Sequence, residues 1–176
     1  MAYVAAGRDA GAWSASSLSG GLNAGRDAGA IALGSSNILI HAGQDAYAWA
    51  FTGYNGSLTA GRDAFVESWR GIDAQVTAGR DGGMLSIDHA IGAIDAERYA
   101  GLITWGTAAG PMTVDGKEGA FGWVYKDFIG EVRSANGDAY LIVYGNAVGA
   151  GRLAAGGRDA AAWVVGDAVG GIEAGE

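Results

Sequence analysis

An 18-residue repeat constrains the fold of this chain more than any other feature. The tetrapeptide Ala-Gly-Arg-Asp, or its variant Ala-Gly-Gln-Asp, places glycine at constant spacing at Gly7, Gly25, Gly43, Gly61 and Gly79. Aspartate follows two residues later in each unit, at Asp9, Asp27, Asp45, Asp63 and Asp81. Self-similarity at a fixed period indicates supersecondary units that bury their apolar faces only by stacking on one another. The repeat therefore predicts a stacked solenoid.

Apolar and polar residues alternate around this motif. One aliphatic column recurs with the repeat at Val4, Leu22, Ile40, Leu58, Val76, Ile94 and Met112. A second column lies two places later, at Ala6, Ala24, Ala42, Ala60, Ala78, Ala96 and Val114. The residues between the two columns, such as Asn23 and Thr59, are mainly polar. A period of two is typical of a β-strand with one buried face.

The period alone also fits an α-helix, because 18 residues make about five helical turns at 3.6 residues per turn. Composition excludes that fold. The chain has 33 glycines, and each costs about 1 kcal/mol relative to alanine inside a helix. The sequence therefore predicts an all-β parallel β-solenoid of about nine 18-residue coils. Gly-Arg-Asp would form a corner, with glycine at positive φ and aspartate bonding the backbone two residues on.

Two further columns after the motif contain the large rings. The first comprises Trp13, Ile31, Trp49, Glu67, Leu85, Ile103 and Phe121, and the second Ala15, Leu33, Phe51, Trp69, Ile87, Trp105 and Trp123. With Trp163 aligned to the first column, all six tryptophans fall in these two positions. Soluble proteins rarely expose so many tryptophans. We therefore expect the aromatic columns inside, and the opposite face with Ala10, Ala12 and Ser14 outside.

The repeat continues through the chain with local slips, which predicts a single β-solenoid domain over residues 1–176. Regular coils are expected over 1–123, irregular coils with short insertions over 124–155, and a regular coil over 156–176. The apolar columns are expected to stay in register to residue 123, although the corner motif decays after Gly79. Gly175 falls 18 residues after Gly157, which predicts the opening of a further unit and a chain cut from a longer array.

Composition narrows the classes of function. A net charge of -8 and a pI near 4.6 argue against nucleic-acid binding, which needs clustered Lys or Arg. No apolar run approaches the roughly 18 residues of a membrane-spanning helix. The absence of cysteine excludes disulfides and Cys-based zinc sites.

The titratable residues predict no catalytic, cofactor or metal site, and the chain is expected not to be an enzyme. The aspartate column suggests calcium, but a calcium-binding β-roll needs its glycine-aspartate motif in both halves of each coil. The adjacent Arg8, Arg26, Arg62, Arg80 and Arg98 favour a turn-capping ladder instead. His41 and His89 fall in different columns, and Thr59, Thr77 and Thr113 are too sparse for an ice-binding face. If Asp73, Asp88 and Asp95 lie near one another in the fold, they would be the catalytic candidates of an enzyme.

The Ala-Gly-Arg-Asp-Ala units, the Gly-Ser-Ser-Asn link and the alanine-rich alternation resemble repeat regions of large bacterial surface or secreted proteins. These proteins are of the filamentous-haemagglutinin and adhesin type. The resemblance covers roughly residues 1–123 and 150–176. It implies a right-handed parallel β-helix that acts as a stalk or adhesive fibre, extracellular or at the cell surface.

We therefore expect a non-catalytic structural segment of such a fibre. Self-association is the expected partnership, either end to end or lateral, and a surface polysaccharide is a second candidate partner. Two alternatives stay open. One is a filament subunit that assembles by stacking end to end, and the other is a carbohydrate-binding or carbohydrate-active β-helix.

Overall fold

The computed structural model describes residues 2–174, except for the side chains of residues 2, 111 and 149–151. These residues form nineteen β-strands, and none of the described residues is helical. Every strand pair is parallel. The prediction of an all-β parallel β-solenoid is confirmed. Gly175, the expected start of a further unit, lies outside the described residues.

Alternate strands along the chain belong to opposite sheets. The ten-strand sheet contains β1 (Ala2–Ala6), β3 (Leu18–Ala24), β5 (Ser35–Ala42), β7 (Gly53–Ala60), β9 (Gly71–Ala78), β11 (His89–Ala96), β13 (Thr107–Gly116), β15 (Phe128–Ser134), β17 (Ala147–Ala155) and β19 (Ala168–Ala174). The nine-strand sheet contains β2 (Ala10–Ser14), β4 (Ala28–Ala32), β6 (Ala46–Ala50), β8 (Ala64–Ser68), β10 (Asp81–Ser86), β12 (Tyr99–Thr104), β14 (Gly119–Val124), β16 (Asp138–Val143) and β18 (Ala160–Val164). We number the coils 1 to 9 by the strands of the nine-strand sheet.

Each coil pairs with the next at the predicted spacing. In the ten-strand sheet Leu22 lies opposite Ile40, and Ile40 lies opposite Leu58. Both steps are 18 residues. With neighbouring strands about 4.8 Å apart, ten stacked strands give a rod about 43 Å long. The predicted spacing and the predicted number of about nine coils are both confirmed.

The interior is thin in the early coils, where one wall is made of alanine. The ten-strand sheet contributes larger aliphatic side chains such as Leu58 and Ile94, both fully buried. In coils 2 and 3 the nine-strand sheet faces them with alanines such as Ala30 and Ala48, also fully buried, whereas coils 5, 6 and 8 bury Met84, Leu102 and Leu141 on this side. Alanine leaves room for only one layer of larger side chains between the sheets. Stability therefore depends on contact between adjacent coils, as in other solenoids.

The prediction that the aromatic columns point inward is wrong. Trp13 is 67% exposed, and Phe51 and Trp69 are about half exposed. The cause is strand parity, since Ala10 and Ala28 point inward and the rings occupy alternate positions of the same strands or the corner after them. The aliphatic column of the opposite sheet already fills the space between the sheets. The alanines therefore line the interior and the rings lie on the outer surface.

The motif glycine forms a corner for a reason other than the predicted one. Positive φ occurs at Gly20, Gly53, Gly56, Gly92 and Gly110, and at none of the motif glycines. A Cβ on Gly43 would instead lie 2.2 Å from the carbonyl oxygen of Gly25, the motif glycine of the coil below. The corners at Gly25, Gly43, Gly61 and Gly79 therefore touch the corner below through their backbones, whereas Glu97 takes the corresponding place in the sixth coil.

The motif aspartate also acts differently from the prediction. It does not bond the backbone two residues on. The Asp45 side chain accepts a hydrogen bond from the backbone N–H of Asp63, one coil later, at 3.3 Å. The second corner uses hydroxyl groups, since Ser68 Oγ accepts from the Arg70 N–H and Thr104 Oγ1 from the Gly106 N–H. Both corners are therefore capped by side chains.

The register slips earlier than the sequence predicts. Ala90 lies opposite Ala108, but Ile94 lies opposite Val114, so β13 contains two extra residues. The predicted column places of Met112, Val114, Phe121 and Trp123 are therefore wrong by two residues. Trp123 lies opposite Ile103, in the first aromatic column.

Two further insertions follow. The turn between Ser134 and Asp138 adds one residue, and β17 adds two more. An insertion of two residues leaves the alternation of inward and outward side chains unchanged, so the apolar pattern of the sequence does not show it.

Candidate interaction surface

The outer side of the nine-strand sheet is a continuous apolar surface of three columns, which we call the aromatic face. The middle column is Trp13, Ile31, Trp49, Glu67, Leu85, Ile103, Trp123, Ile142 and Trp163. The corner column is Ala15, Leu33, Phe51, Trp69, Ile87, Trp105, Tyr125, Tyr144 and Val165. The glycine column is Gly11, Gly29, Tyr47, Phe65, Gly83, Gly101, Phe121, Tyr140 and Ala161.

Rings of the corner column stack from one coil to the next. The centroids of Tyr125 and Tyr144 lie 4.7 Å apart with ring planes inclined by 16°. Phe51 and Trp69 stack similarly at 5.6 Å and 25°. Nearly parallel rings separated by about one strand spacing must overlap face to face along the solenoid axis. These rings therefore cover each other's faces and present mainly their edges to solvent.

The glycine column is the part of the surface that sequence reasoning missed. Its pattern is two glycines, two aromatic residues, two glycines and two aromatic residues, followed by Ala161. A Cβ on Gly101 would meet nothing within 4 Å, whereas a Cβ on Gly83 would lie 2.8 Å from the Phe65 ring. A shallow cavity of about 350 Å³ between Phe65 and Phe121 results. The 18-residue step would have revealed this column from Gly11 to Gly101, because those members follow the repeat, but not Phe121, Tyr140 and Ala161, which follow the insertions.

Charge is nearly absent from the aromatic face. Glu67 is the only ionisable acid or base among the described members of its three columns, apart from tyrosines. Its Oε2 accepts a hydrogen bond from Tyr47 Oη at 2.9 Å. Partial burial, with this hydrogen bond to a carboxylate, raises the pKa of Tyr47 to about 12. The single carboxylate is thus engaged by its own chain.

The corner motif beside this face forms a ladder of ion pairs, as predicted. Arg26 donates from Nε and Nη2 to the Asp9 carboxylate, at 2.8 and 2.7 Å. The same forked contact joins Arg62 to Asp45, Arg80 to Asp63 and Arg98 to Asp81. Hydrogen bonds from the arginines hold the pKa values of Asp9, Asp45 and Asp81 below the usual range. Each arginine reaches down one coil, so the ladder binds neighbouring coils together.

No group of three or more His, Cys, Asp or Glu side chains within the described residues is arranged to hold a metal ion. Of the acidic residues of the enzyme alternative, Asp73 and Asp88 line one open hollow of about 560 Å³ on the ten-strand sheet. Asp95 does not line it. His89 does, and its Nδ1 lies 3.9 Å from Asp88 Oδ2, beyond hydrogen-bond distance. His41 lines a different hollow, so the two histidines stay apart.

The fold and its surfaces define a two-sheet parallel β-solenoid with an apolar outer face on the nine-strand sheet and a mixed outer face, which exposes Tyr3 and Leu39, on the ten-strand sheet. Comparison with known proteins finds no family model, curated protein or solved structure that matches this chain. The resemblance to filamentous-haemagglutinin repeats therefore stays a prediction. Across the described residues, the structure contains no helix of the length and apolarity that crossing a membrane requires.

Proposed function

We propose that this chain is a non-catalytic structural segment of a bacterial extracellular fibre, stalk or adhesin. The observation that supports this role is the unbroken pairing of coils. Two sheets of ten and nine strands run through the described residues with no interruption by another kind of element. Backbone hydrogen bonds also join the corners of successive coils, as from the Arg62 N–H to the Gln44 carbonyl at 2.8 Å. Such a rod suits a protein segment that must keep its two ends at a fixed distance and resist proteases.

Surface charge fits the same role. The ten-strand sheet presents polar side chains such as Asn37, Asn55 and Asp73, and the whole chain carries a net charge of -8. A net charge far from zero keeps a protein soluble. The bacterial and extracellular parts of the proposal rest on the style of the repeat.

Mechanical and proteolytic measurements test the structural role. Pulled by its ends in an optical trap, the chain should unfold in steps of about one coil, because each coil contacts only its neighbours. Digestion by a broad-specificity protease should be slow in the wild type and faster in Leu58→Ala, which removes a fully buried side chain. A wild type that is digested as fast as an unfolded chain would contradict a structural role.

Location is tested separately. Antibodies raised against the purified chain should label intact cells of the bacterium that encodes it, and protease shaving of those cells should release its peptides. Labelling only after cell lysis would remove the extracellular part of the proposal and leave the structural part standing.

A carbohydrate-active role remains a second candidate because Asp73 and Asp88 share a hollow. Purified wild type would then release reducing sugar from a bacterial surface polysaccharide, and Asp73→Asn and Asp88→Asn would each abolish the release. The matched control is Asp95→Asn, which changes an acid of the same sheet outside the hollow. Equal yields from all four proteins, or none from any, would exclude this candidate.

A further inference from the structure

We propose that two copies of this chain associate through their aromatic faces, with antiparallel solenoid axes. The proposal goes beyond the structural role described above and does not depend on an extracellular location. It commits to a second copy of the chain as the occupant of the aromatic face.

The exposed apolar area supports a stable interface. Twelve large side chains of the aromatic face in coils 1 to 8 are each 40–67% exposed, namely Trp13, Ile31, Leu33, Tyr47, Phe51, Phe65, Trp69, Ile87, Trp105, Tyr125, Tyr140 and Tyr144. At roughly 80 Å² each, for half of a large side chain, they present about 1,000 Å². Specific dimers bury about 800 Å² per partner. Monomeric proteins rarely expose a contiguous apolar patch of this size.

The chemistry of the face favours a protein partner over a sugar. A sugar-binding platform needs open ring faces and free polar groups for the hydroxyls. Here the corner-column rings cover one another, as between Tyr125 and Tyr144. The one carboxylate, Glu67, is held by Tyr47. The surface that best matches a nearly uncharged, ring-rich strip is another such strip.

The glycine column sets the register. A two-fold axis lying between the sheets and parallel to the strands places each column opposite itself and reverses the order of the coils. If coil 4 lies opposite coil 5 of the second copy, coils 1 to 8 overlap completely. Three of the four large members of the column then face an open glycine: Tyr47 faces Gly101, Phe121 faces Gly29 and Tyr140 faces Gly11.

Neighbouring registers lack this fit. A shift by one coil leaves Tyr140 of coil 8 outside the overlap, and a shift the other way places Tyr47 opposite Phe121. The glycines Gly11, Gly29 and Gly101 have no side chain near the space that a Cβ would fill, so they are open to a ring from outside. Gly83 is covered by Phe65 of its own chain, and at the axis the two Phe65 rings therefore meet each other.

The middle column supports the same register independently. Each tryptophan of coils 1 to 8 lies opposite an isoleucine, as Trp49 lies opposite Ile103, and Trp123 opposite Ile31. Large and smaller apolar side chains thus alternate across the interface, which is the pattern that lets two layers interdigitate. Two columns with different residues therefore select one arrangement.

Light scattering on the eluting protein tests the association. Wild type should elute as a dimer at micromolar concentration. Added salt should lower the dimer dissociation constant, because salt screens repulsion between two acidic chains. Gly101→Phe should raise the dimer dissociation constant at least tenfold by filling the space for Tyr47. The matched control is Gly171→Phe on the ten-strand sheet, which is equally open and should leave the dimer unchanged. Circular dichroism checks that both variants fold.

Crosslinking tests the register in a chain that has no natural cysteine. In the proposed dimer the two copies of residue 65 lie one coil apart, roughly 11 Å, since facing sheets are about 10 Å apart. The copies of residue 140 lie seven coils apart, or about 34 Å. A short bismaleimide should therefore crosslink Phe65→Cys and not Tyr140→Cys. Crosslinking of both variants would indicate parallel axes. A wild type that is monomeric and whose tryptophan fluorescence shifts when soluble polysaccharide is added would indicate a sugar partner. Either result overturns the proposal.

Discussion

Replacing Gly61 with alanine should break the contact between the third and fourth coils. A Cβ at this position would lie 2.2 Å from the carbonyl oxygen of Gly43, and real Cβ contacts stay at or above 3.0 Å. One corner must therefore move by about 0.8 Å, and overpacking of this kind costs about 1–3 kcal/mol. The movement also strains the hydrogen bond from the Gly61 N–H to the Ala42 carbonyl, which contributes about 1 kcal/mol. We expect a total loss near 3 kcal/mol.

Gly7 provides the matched control. It occupies the same place in the first coil, where a Cβ would meet nothing within 4 Å. In a chain of this size 1 kcal/mol corresponds to about 2–4 °C of melting temperature. Thermal unfolding followed by circular dichroism should therefore show Gly61→Ala about 6–12 °C below the wild type and Gly7→Ala close to it. Equal losses in the two variants would refute the steric explanation of the motif glycine.

Three further predictions concern single groups. Ser36→Ala should raise the free energy of unfolding by about 1 kcal/mol, because the buried Ser36 Oγ has no hydrogen-bond partner; a loss in chemical denaturation would contradict this. Glu67→Gln should lower the pKa of Tyr47 from about 12 toward its ordinary value, as read from near-ultraviolet absorbance. Since that pKa is raised on folding, its stabilising contribution should fade as pH rises from 10 through 12. Arg62→Ala should lower the melting temperature only slightly at neutral pH, because the ion pair between Arg62 and Asp45 is partly exposed to solvent. This decrease should vanish in acid, as pH falls from about 3.8 through the lowered pKa of Asp45, and a difference from wild type that persists there would exclude the ion pair as its cause.

The repeat length determined most of the fold in advance, for a physical reason. When every coil repeats the same spacing, apolar residues one coil apart must stack, as Leu22, Ile40 and Leu58 do. Strand type, parallel pairing and the number of coils follow from that single periodicity. The Arg-Asp ladder was also predictable, because the side chains of Arg26 and Asp9 belong to the same corner of adjacent coils.

The side of the sheet on which the rings lie could not be predicted from alternation, because parity assigns two faces without saying which one is inside. The deciding signal is volume on the opposite sheet. Leu58 and Ile94 already fill the interior, and a facing wall of tryptophans would force the sheets apart. In coils 2 and 3 the inward positions of the nine-strand sheet are all alanine, as at Ala30 and Ala48, which marks that face as the one with no room for a ring.

The slip between Ala108 and Met112 could not be read from alternation, since an insertion of two leaves every side chain on its original face. Gly110 has a φ of 75°, and this backbone conformation accommodates the irregularity in β13. The corner motif had already disappeared from that coil, so nothing in the pattern marked the change of column for Trp123.

Coil-to-coil pairing also sets how this protein should find its fold. Partners such as Ile40 and Leu58 are 18 residues apart in a chain of 176, a separation of about a tenth of its length. Relative separations near 0.1 are typical of helical bundles, which fold in microseconds to milliseconds, whereas most all-β proteins of non-local pairing are far slower. The ten-strand sheet therefore requires no strand to search for a distant partner, and each coil can close on the one before it as the chain leaves the ribosome.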